Sequence, residues 1–472
     1  MKNSILIALI LIVNMSFGQI EKAANKTVTD NFVKNYNSGD YNAIFSMFSA
    51  EMREALPKNE IVEFLTDLKT QAGIVTHREF IAYENETYAS YKTTFERAVF
   101  VLNISIDGNS KINGLFIEPF VEENNSQNVI NNLSVIDGLI TKEQSELVFE
   151  NVKTFPNHTL ISIAIIKDGK ATYYGINKED NTVFTINNNK SVFEIGSISK
   201  VFSSTLLADF VIDGEIKLND NINTYLKTSL NNDTKISFIN LANHTSGVPR
   251  LPSNLDLNKV NPENPYKDYK AKELEEYLSK YLELANKGNY QYSNLGAGII
   301  GYTLSEISNT TYENLLQSKI FSKYNMQNST ADISKIKGSL VKGLNTEGKE
   351  VPNWEFSILA GAGGILSTTE DLSKFVIAQL NTSDKVLVLT RQKTFEINNR
   401  MDIGLGWHLL KSQSQNIWYW HNGGTGGYSS SMVFDEASKN GIIILSNVSA
   451  FNPDMGNIDK LCFELMKTLE KE

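Results

Sequence analysis

The chain has 472 residues, 41% of them hydrophobic, and a formal net charge of −10 at pH 7. That length exceeds what one hydrophobic core usually serves, so two or three domains are expected. An acidic balance with no long basic run leaves a nucleic-acid partner without electrostatic support and reads as a soluble acidic surface.

Residues 1–18 read as a secretory signal. Lys2 and the amino terminus precede the apolar run Ile5 to Val13, and Ser16 and Gly18 supply small residues for a peptidase, with cleavage expected after Gly18. The run is too short to span a bilayer, so the expectation is export to the periplasm or beyond with no stable membrane span. No cysteine stands near the cleavage point to take a lipid, and the single Cys462 makes no internal disulfide.

Residues 20–120 read as a small α+β domain. Helical periodicity runs through Phe32, Val33 and Tyr36, through Ile44, Phe45 and Phe48, and through Ile61, Phe64, Leu65 and Leu68. Strand-like runs follow at 79–83, 91–95, 98–106 and 112–120, with an Asp107-Gly108 turn between the last two. Helices packed on an antiparallel sheet in this order resemble the cone-shaped nuclear-transport-factor-2-like fold. Residues 121–134 are polar and read as a linker.

Residues 135–472 read as the second domain. A helix near 143–152 leads to strands at 160–167 and 171–175, joined by an Asp168-Gly169 turn. Next comes Phe193-Glu194-Ile195-Gly196-Ser197-Ile198-Ser199-Lys200, followed by residues apolar on nearly every side to Val211, which predicts a core helix with Ser197 at its start. Residues three apart share a helix face, so Lys200 reaches Ser197. The middle of the chain is mostly helical pattern and carries Tyr292-Ser293-Asn294. Strands return at 404–410, 417–421, 428–434 and 441–445, with His421-Asn422-Gly423-Gly424 at the end of the second, and a helix closes the chain at 458–469.

Each short motif is weak alone. Ser-x-x-Lys recurs at Ser334 with Lys337 and at Ser339 with Lys342, and Tyr-x-Asn recurs at Tyr83 with Asn85 and at Tyr312 with Asn314. The order of the three motifs is more specific, and with the blocks Leu241 to Gly247, Ala362 to Thr368 and Gly404 to Trp407 it resembles the serine beta-lactamase-related family, in its class C and penicillin-binding-protein-like branch. The resemblance implies an α+β beta-lactamase/transpeptidase-like fold: an antiparallel sheet completed by both ends of the domain, flanked by helices, with a helical lobe inserted.

The resemblance also implies roles. Ser197 would be the nucleophile, Lys200 and Tyr292 the base and acid pair, and the backbone N–H groups of Ser197 and Gly424 the oxyanion donors, with Asn294 holding the pair or bonding the acyl side and His421, Asn422 and Gly423 meeting substrate. Free Lys and Tyr titrate at about 10.4 and 10, so the site must supply a shift of roughly three units, by burying a neutral Lys200 or by stabilising a Tyr292 phenolate. Both routes are open at this stage.

His421 stands where true beta-lactamases carry a lysine, which removes a permanent cation facing a substrate carboxylate. The expectation is therefore an esterase or amidase acting through an acyl-enzyme, with a D-Ala-D-Ala carboxypeptidase or beta-lactamase, or a silent module binding wall peptides, as alternatives. The expected partner is a small-molecule or peptide substrate. None of the five histidines forms an i, i+4 pair, so neither a metal nor a cofactor is expected. His244 reads as structural, His408 has no evident partner, and Trp407, Trp418 and Trp420 read as core or cleft wall.

Overall fold

The computed structural model describes residues 21–84, 87–120, 129–257, 259–412 and 416–470. The expected signal segment and the first part of the expected linker lie outside those residues. The chain divides into two compact units, one ending at Phe120 and one running from Val121 to Glu472 with two short pieces of the earlier chain.

In the smaller unit, helices Ala23–Ser38, Tyr41–Met47, Ala50–Ala55 and Lys58–Ala72 precede strands Val75–Glu84, Tyr88–Phe95, Val99–Ile106 and Ile112–Pro119. Local chemistry sets the helix ends. Gly39, at φ +77°, terminates the first helix, and the Asp40 and Ser49 side chains accept from Ala43 N and Met52 N to cap the next two. The strands pair in sequence order as an antiparallel meander, and Phe32, Tyr36, Ile44, Ile61, Leu65 and Tyr91 are buried.

The larger unit is built on a ten-stranded sheet. Its order is Phe395–Asn398, Met401–Ile403, His408–Lys411, Ile417–Gly424, Ser429–Asp435, Asn440–Ser446, Thr159–Lys167, Lys170–Glu179, Thr182–Ile186 and Ile130–Asn132. The strand Asn440–Ser446 pairs directly with Thr159–Lys167, so the early and late parts of the unit close one sheet. Every pairing is antiparallel except the last, where Ile130–Asn132 lies parallel to Thr182–Ile186. Residues 130–132 of the expected linker thus belong to the sheet.

Helices Lys142–Val152 and Gly456–Glu470 cover one face, with Val148, Val152, Leu461, Cys462 and Leu465 buried beneath them. The other face meets the helical lobe, at whose centre stands the Ser199–Ile212 helix, buried on almost every side. The expected strand at 404–410 is interrupted. Gly404 N donates to the Trp407 carbonyl and Gly406 takes φ +77°, making a bend in which a Cβ on Gly406 would stand 2.7 Å from Ser204 Oγ and 3.0 Å from Lys200 O. Glycine here lets the sheet edge press against the Ser199–Ile212 helix. Trp407 is buried in the lobe-side core, while Trp418 and Trp420 pack with Phe463 on the opposite side.

Candidate active site

Ser197 sits in the 3₁₀ turn Gly196–Ile198 that runs directly into the Ser199–Ile212 helix. Within the otherwise buried run 192–200 it is the one residue that reaches solvent. Its turn is held from two sides, by the 365–367 segment and by Ser430. Strand Phe193–Glu194 pairs with Leu366–Ser367, Ile195 N donates to the Ile365 carbonyl at 3.0 Å, and Ser430 Oγ donates to the Ile195 carbonyl at 2.9 Å.

Lys200 Nζ lies 2.8 Å from Ser197 Oγ and donates to the Ala362 carbonyl at 2.7 Å. The amine is buried, and burial with the Arg250 guanidinium nearby pushes its pKa well below that of a free lysine. With one N–H committed to Ala362, a neutral amine has its lone pair available to the serine hydroxyl. Of the two routes open in the sequence, this environment favours the neutral lysine.

The Tyr-Ser-Asn motif sits at the start of the helix Asn294–Ser308. Ser293 is its N-cap: the hydroxyl accepts from Gly296 N at 2.8 Å and donates to the Pro249 carbonyl at 2.7 Å. That cap sets Tyr292 just outside the helix, with Lys200 Nζ 4.8 Å from its ring centre and Arg250 Cζ at 5.3 Å. Asn294, the first helical residue, is half-buried. Ser197, Lys200 and Tyr292 therefore come together.

The His-Asn-Gly-Gly motif divides between two faces, because successive side chains alternate along a strand. The sheet neighbour of Ile417–Gly424 on one side stops at His408, opposite Trp420, so residues 421–424 run on past it toward the Ser197 turn. His421 and Gly423 face the lobe. A Cβ on Gly423 would stand 2.1 Å from Ile195 O and 2.8 Å from Ser197 N, and one on Gly196 would stand 2.5 Å from Gly424 N. The two backbones touch, which only glycine permits at these positions. Asn422 faces the other way, and its Nδ2 donates to Asp459 Oδ2 at 2.7 Å on the closing helix. The Asn422 side chain is therefore tied to the closing helix.

His421 is 1% exposed, and burial together with His408 and Lys200 holds its pKa well below the ordinary histidine value. Nδ1 lies 2.6 Å from the Asn422 carbonyl, which only accepts, so Nδ1 carries the proton and Nε2 is a bare acceptor, buried without a partner among the described residues. Burial thus favours the neutral imidazole at this position. His244 takes the opposite tautomer. Its Nδ1 accepts from Ser293 N at 3.2 Å and its ring lies 4.6 Å from that of Tyr292, so it orients the tyrosine segment from a left-handed backbone, φ +60°. His408, without a partner in the sequence reading, pairs with Tyr290 Oη at 2.9 Å and is pushed down to about 4 by burial and Lys200.

Sequence patterns missed Arg250 and Glu194. Arg250 follows the Leu241 to Gly247 block and reaches the site through the carbonyl of its own residue, which accepts from Leu295 N at 3.0 Å. Glu194 lay in the Ser197 octapeptide itself, yet nothing in its spacing signals its surroundings.

A family model described as Beta-lactamase matches residues 151–464, and one described as a protein of unknown function, DUF3887, matches residues 29–115. A beta-lactamase of Pseudomonas fluorescens is 28% identical over 261 residues, which cover 53% of this chain and 69% of that one. The octameric penicillin-binding protein homologue from Pyrococcus abyssi superposes with a TM-score of 0.57 at 20% identity, covering 70% of this chain and 77% of the other. The beta-lactamase/D-alanine carboxypeptidase from Pseudomonas syringae gives 0.56 at 20% identity, over 68% and 97%. These likenesses show a beta-lactamase/transpeptidase-like fold.

Proposed function

The chain belongs to the beta-lactamase family, and from that premise we propose that it is an exported serine hydrolase that forms an acyl-enzyme on Ser197 and hydrolyses an ester or amide. The observation that carries this reading is the 2.8 Å contact between the Ser197 hydroxyl and a buried Lys200 amine whose pKa is pushed well down. Neutral Lys200 takes the hydroxyl proton as Oγ attacks the carbonyl carbon. The tetrahedral oxyanion is received by the N–H groups of Ser197 and Gly424, a contribution of about 10²–10³ per donor in comparable sites. Tyr292, beside Lys200, passes a proton to the leaving group, and water then releases the acid and regenerates the serine.

Labelling with a fluorophosphonate and separately with a fluorescent penicillin, with the adduct mapped by mass spectrometry, tests this. The expected result is a fluorophosphonate adduct on Ser197 that Ser197→Ala abolishes. An adduct elsewhere, or none, removes the assignment, and absence of both labels favours a peptide-binding module.

A second reading has one observation behind it. The sequence suggests that replacing a lysine by His421 empties the site of a cation, yet Arg250 brings a permanent one beside the Tyr292 ring. Substrates bearing a carboxylate, as beta-lactams and D-Ala-terminated peptides do, gain a counter-charge there. In that case Arg250→Ala raises KM for carboxylate substrates and spares uncharged esters; equal losses on both exclude it.

Among the described residues no helix is long and apolar enough to cross a membrane. Export rests on the pattern of residues 1–18.

A further inference from the structure

Glu194 stands three residues before Ser197, and its carboxyl is buried at 4% exposure. Oε1 accepts from Asn353 Nδ2 at 2.8 Å and from Trp354 N at 2.9 Å. Among the described residues neither Oε2 nor the buried hydroxyl of Thr425, the residue after Gly424, completes a well-formed hydrogen bond, yet the hydroxyl lies near enough to the carboxyl to favour its ionised form. Three segments therefore meet at one carboxyl: the strand leading into the Ser197 turn, the 353–354 segment, and the turn that follows Gly424. Trp354 lies against that same turn, since a Cβ on Gly426 would stand 2.6 Å from its Nε1, and Asn353 Nδ2 also reaches Tyr428 Oη at 2.9 Å.

We propose that Glu194 is a positioning residue that ties the Gly424 end of the Ile417–Gly424 strand to the Ser197 turn, and that turnover is faster with its carboxyl protonated than ionised. The proposal rests on the assignment of the Ser197 and Gly424 N–H groups as oxyanion donors. An ionised Glu194 sets a negative charge against the two segments that carry the oxyanion donors, where it opposes the developing oxyanion, with no cation among the groups that act on it. A neutral carboxyl keeps both Oε1 contacts and removes that opposition.

Burial pushes Glu194 up to about 7 against the pull of Thr425, Asn353 and Trp354, so both forms are present near neutrality. The titratable group facing it is the Tyr428 phenol, itself pushed far up by burial and then by Glu194, and therefore neutral throughout.

The test compares the wild type with Glu194→Gln, which retains an acceptor for Asn353 and Trp354 but does not ionise. Turnover of an uncharged nitrophenyl ester is measured between about pH 5.5 and 8.5, and the Gly424 backbone amide is followed by nitrogen-15 NMR over the same range. The expected result is a kcat ratio, variant over wild type, that rises at least about threefold across that range with an unchanged KM ratio. The Gly424 resonance should titrate in the wild type and stay fixed in the variant.

A flat ratio with an unmoved Gly424 amide overturns the proposal. If the wild type neither labels on Ser197 nor turns over, the catalytic assignment fails separately; the tie between Glu194 and Gly424 then stands if the amide titrates and falls if it does not. Should Glu194→Gln not fold, Thr425→Val serves instead. It removes a group that lowers the carboxyl's pKa, so the Gly424 midpoint should move up, and an unmoved midpoint counts against the proposal.

Discussion

Lys200 Nζ stands 2.8 Å from Ser197 Oγ in a pocket where burial and Arg250 push the pKa of the amine well below that of a free lysine. Lys200→Ala should lower kcat by at least about 10²-fold while leaving KM nearly unchanged, because the amine acts in the transition state. Steady-state rates on a nitrophenyl ester check this, and near-normal turnover would refute the base assignment.

The same depressed pKa has a sign in stability. Between the folded pKa and the unfolded value near 10.4, the unfolded chain binds one proton that the folded chain does not, so stability rises with pH in that window, by at most about 1.4 kcal/mol per unit. Lys200→Met should lose that slope. Denaturant titrations of both proteins at neutral and alkaline pH measure it, and parallel curves would mean that Lys200 stays charged when folded.

His421 should show no titration across the neutral range. Nitrogen-15 spectra are expected to report the Nδ1–H tautomer throughout, since the Asn422 carbonyl fixes that proton and burial opposes a second. Any inflection near neutrality in the rate profile then belongs elsewhere. A His421 resonance titrating near its ordinary value would reverse this assignment.

Gly423→Ala should cost at least about 10²-fold in kcat, because its Cβ would stand 2.1 Å from Ile195 O and 2.8 Å from Ser197 N and must push the end of the Ile417–Gly424 strand off the Ser197 turn. A crystal structure of the variant with an unshifted strand and full activity would contradict this.

Asn422→Ala should act on stability more than on chemistry. It leaves the buried Asp459 carboxyl without its 2.7 Å donor, a loss of about 1–3 kcal/mol in unfolding free energy, with kcat changed less than by Gly423→Ala. The reverse ranking would return Asn422 to the substrate side.

Much of the fold was legible because its signals are local. The apolar run after Lys200 announces a buried helix, and the Asp168-Gly169 turn after an apolar run announces the strands that flank it. The break at 404–407 was not legible, since Gly404-Leu405-Gly406-Trp407 alternates like a strand and its bend is imposed by contact with Ser204 and Lys200, which lie two hundred residues away in sequence. The division of the His-Asn-Gly-Gly motif was readable from strand alternation, although which face met the lobe was not.

Local residues set the helical turn that brings Lys200 to Ser197, the cap that places Tyr292 before its helix, and the glycines that let the end of the Ile417–Gly424 strand approach a turn. All are properties of short segments, fixed by backbone geometry and spacing. The charges come instead from packing. Whether Lys200 is neutral, which nitrogen of His421 bears the proton, and where Glu194 titrates depend on burial and on neighbours such as Ala362, Asn422 and Trp354. Desolvation and hydrogen bonding are set by what the fold packs around a group, and no local pattern records them.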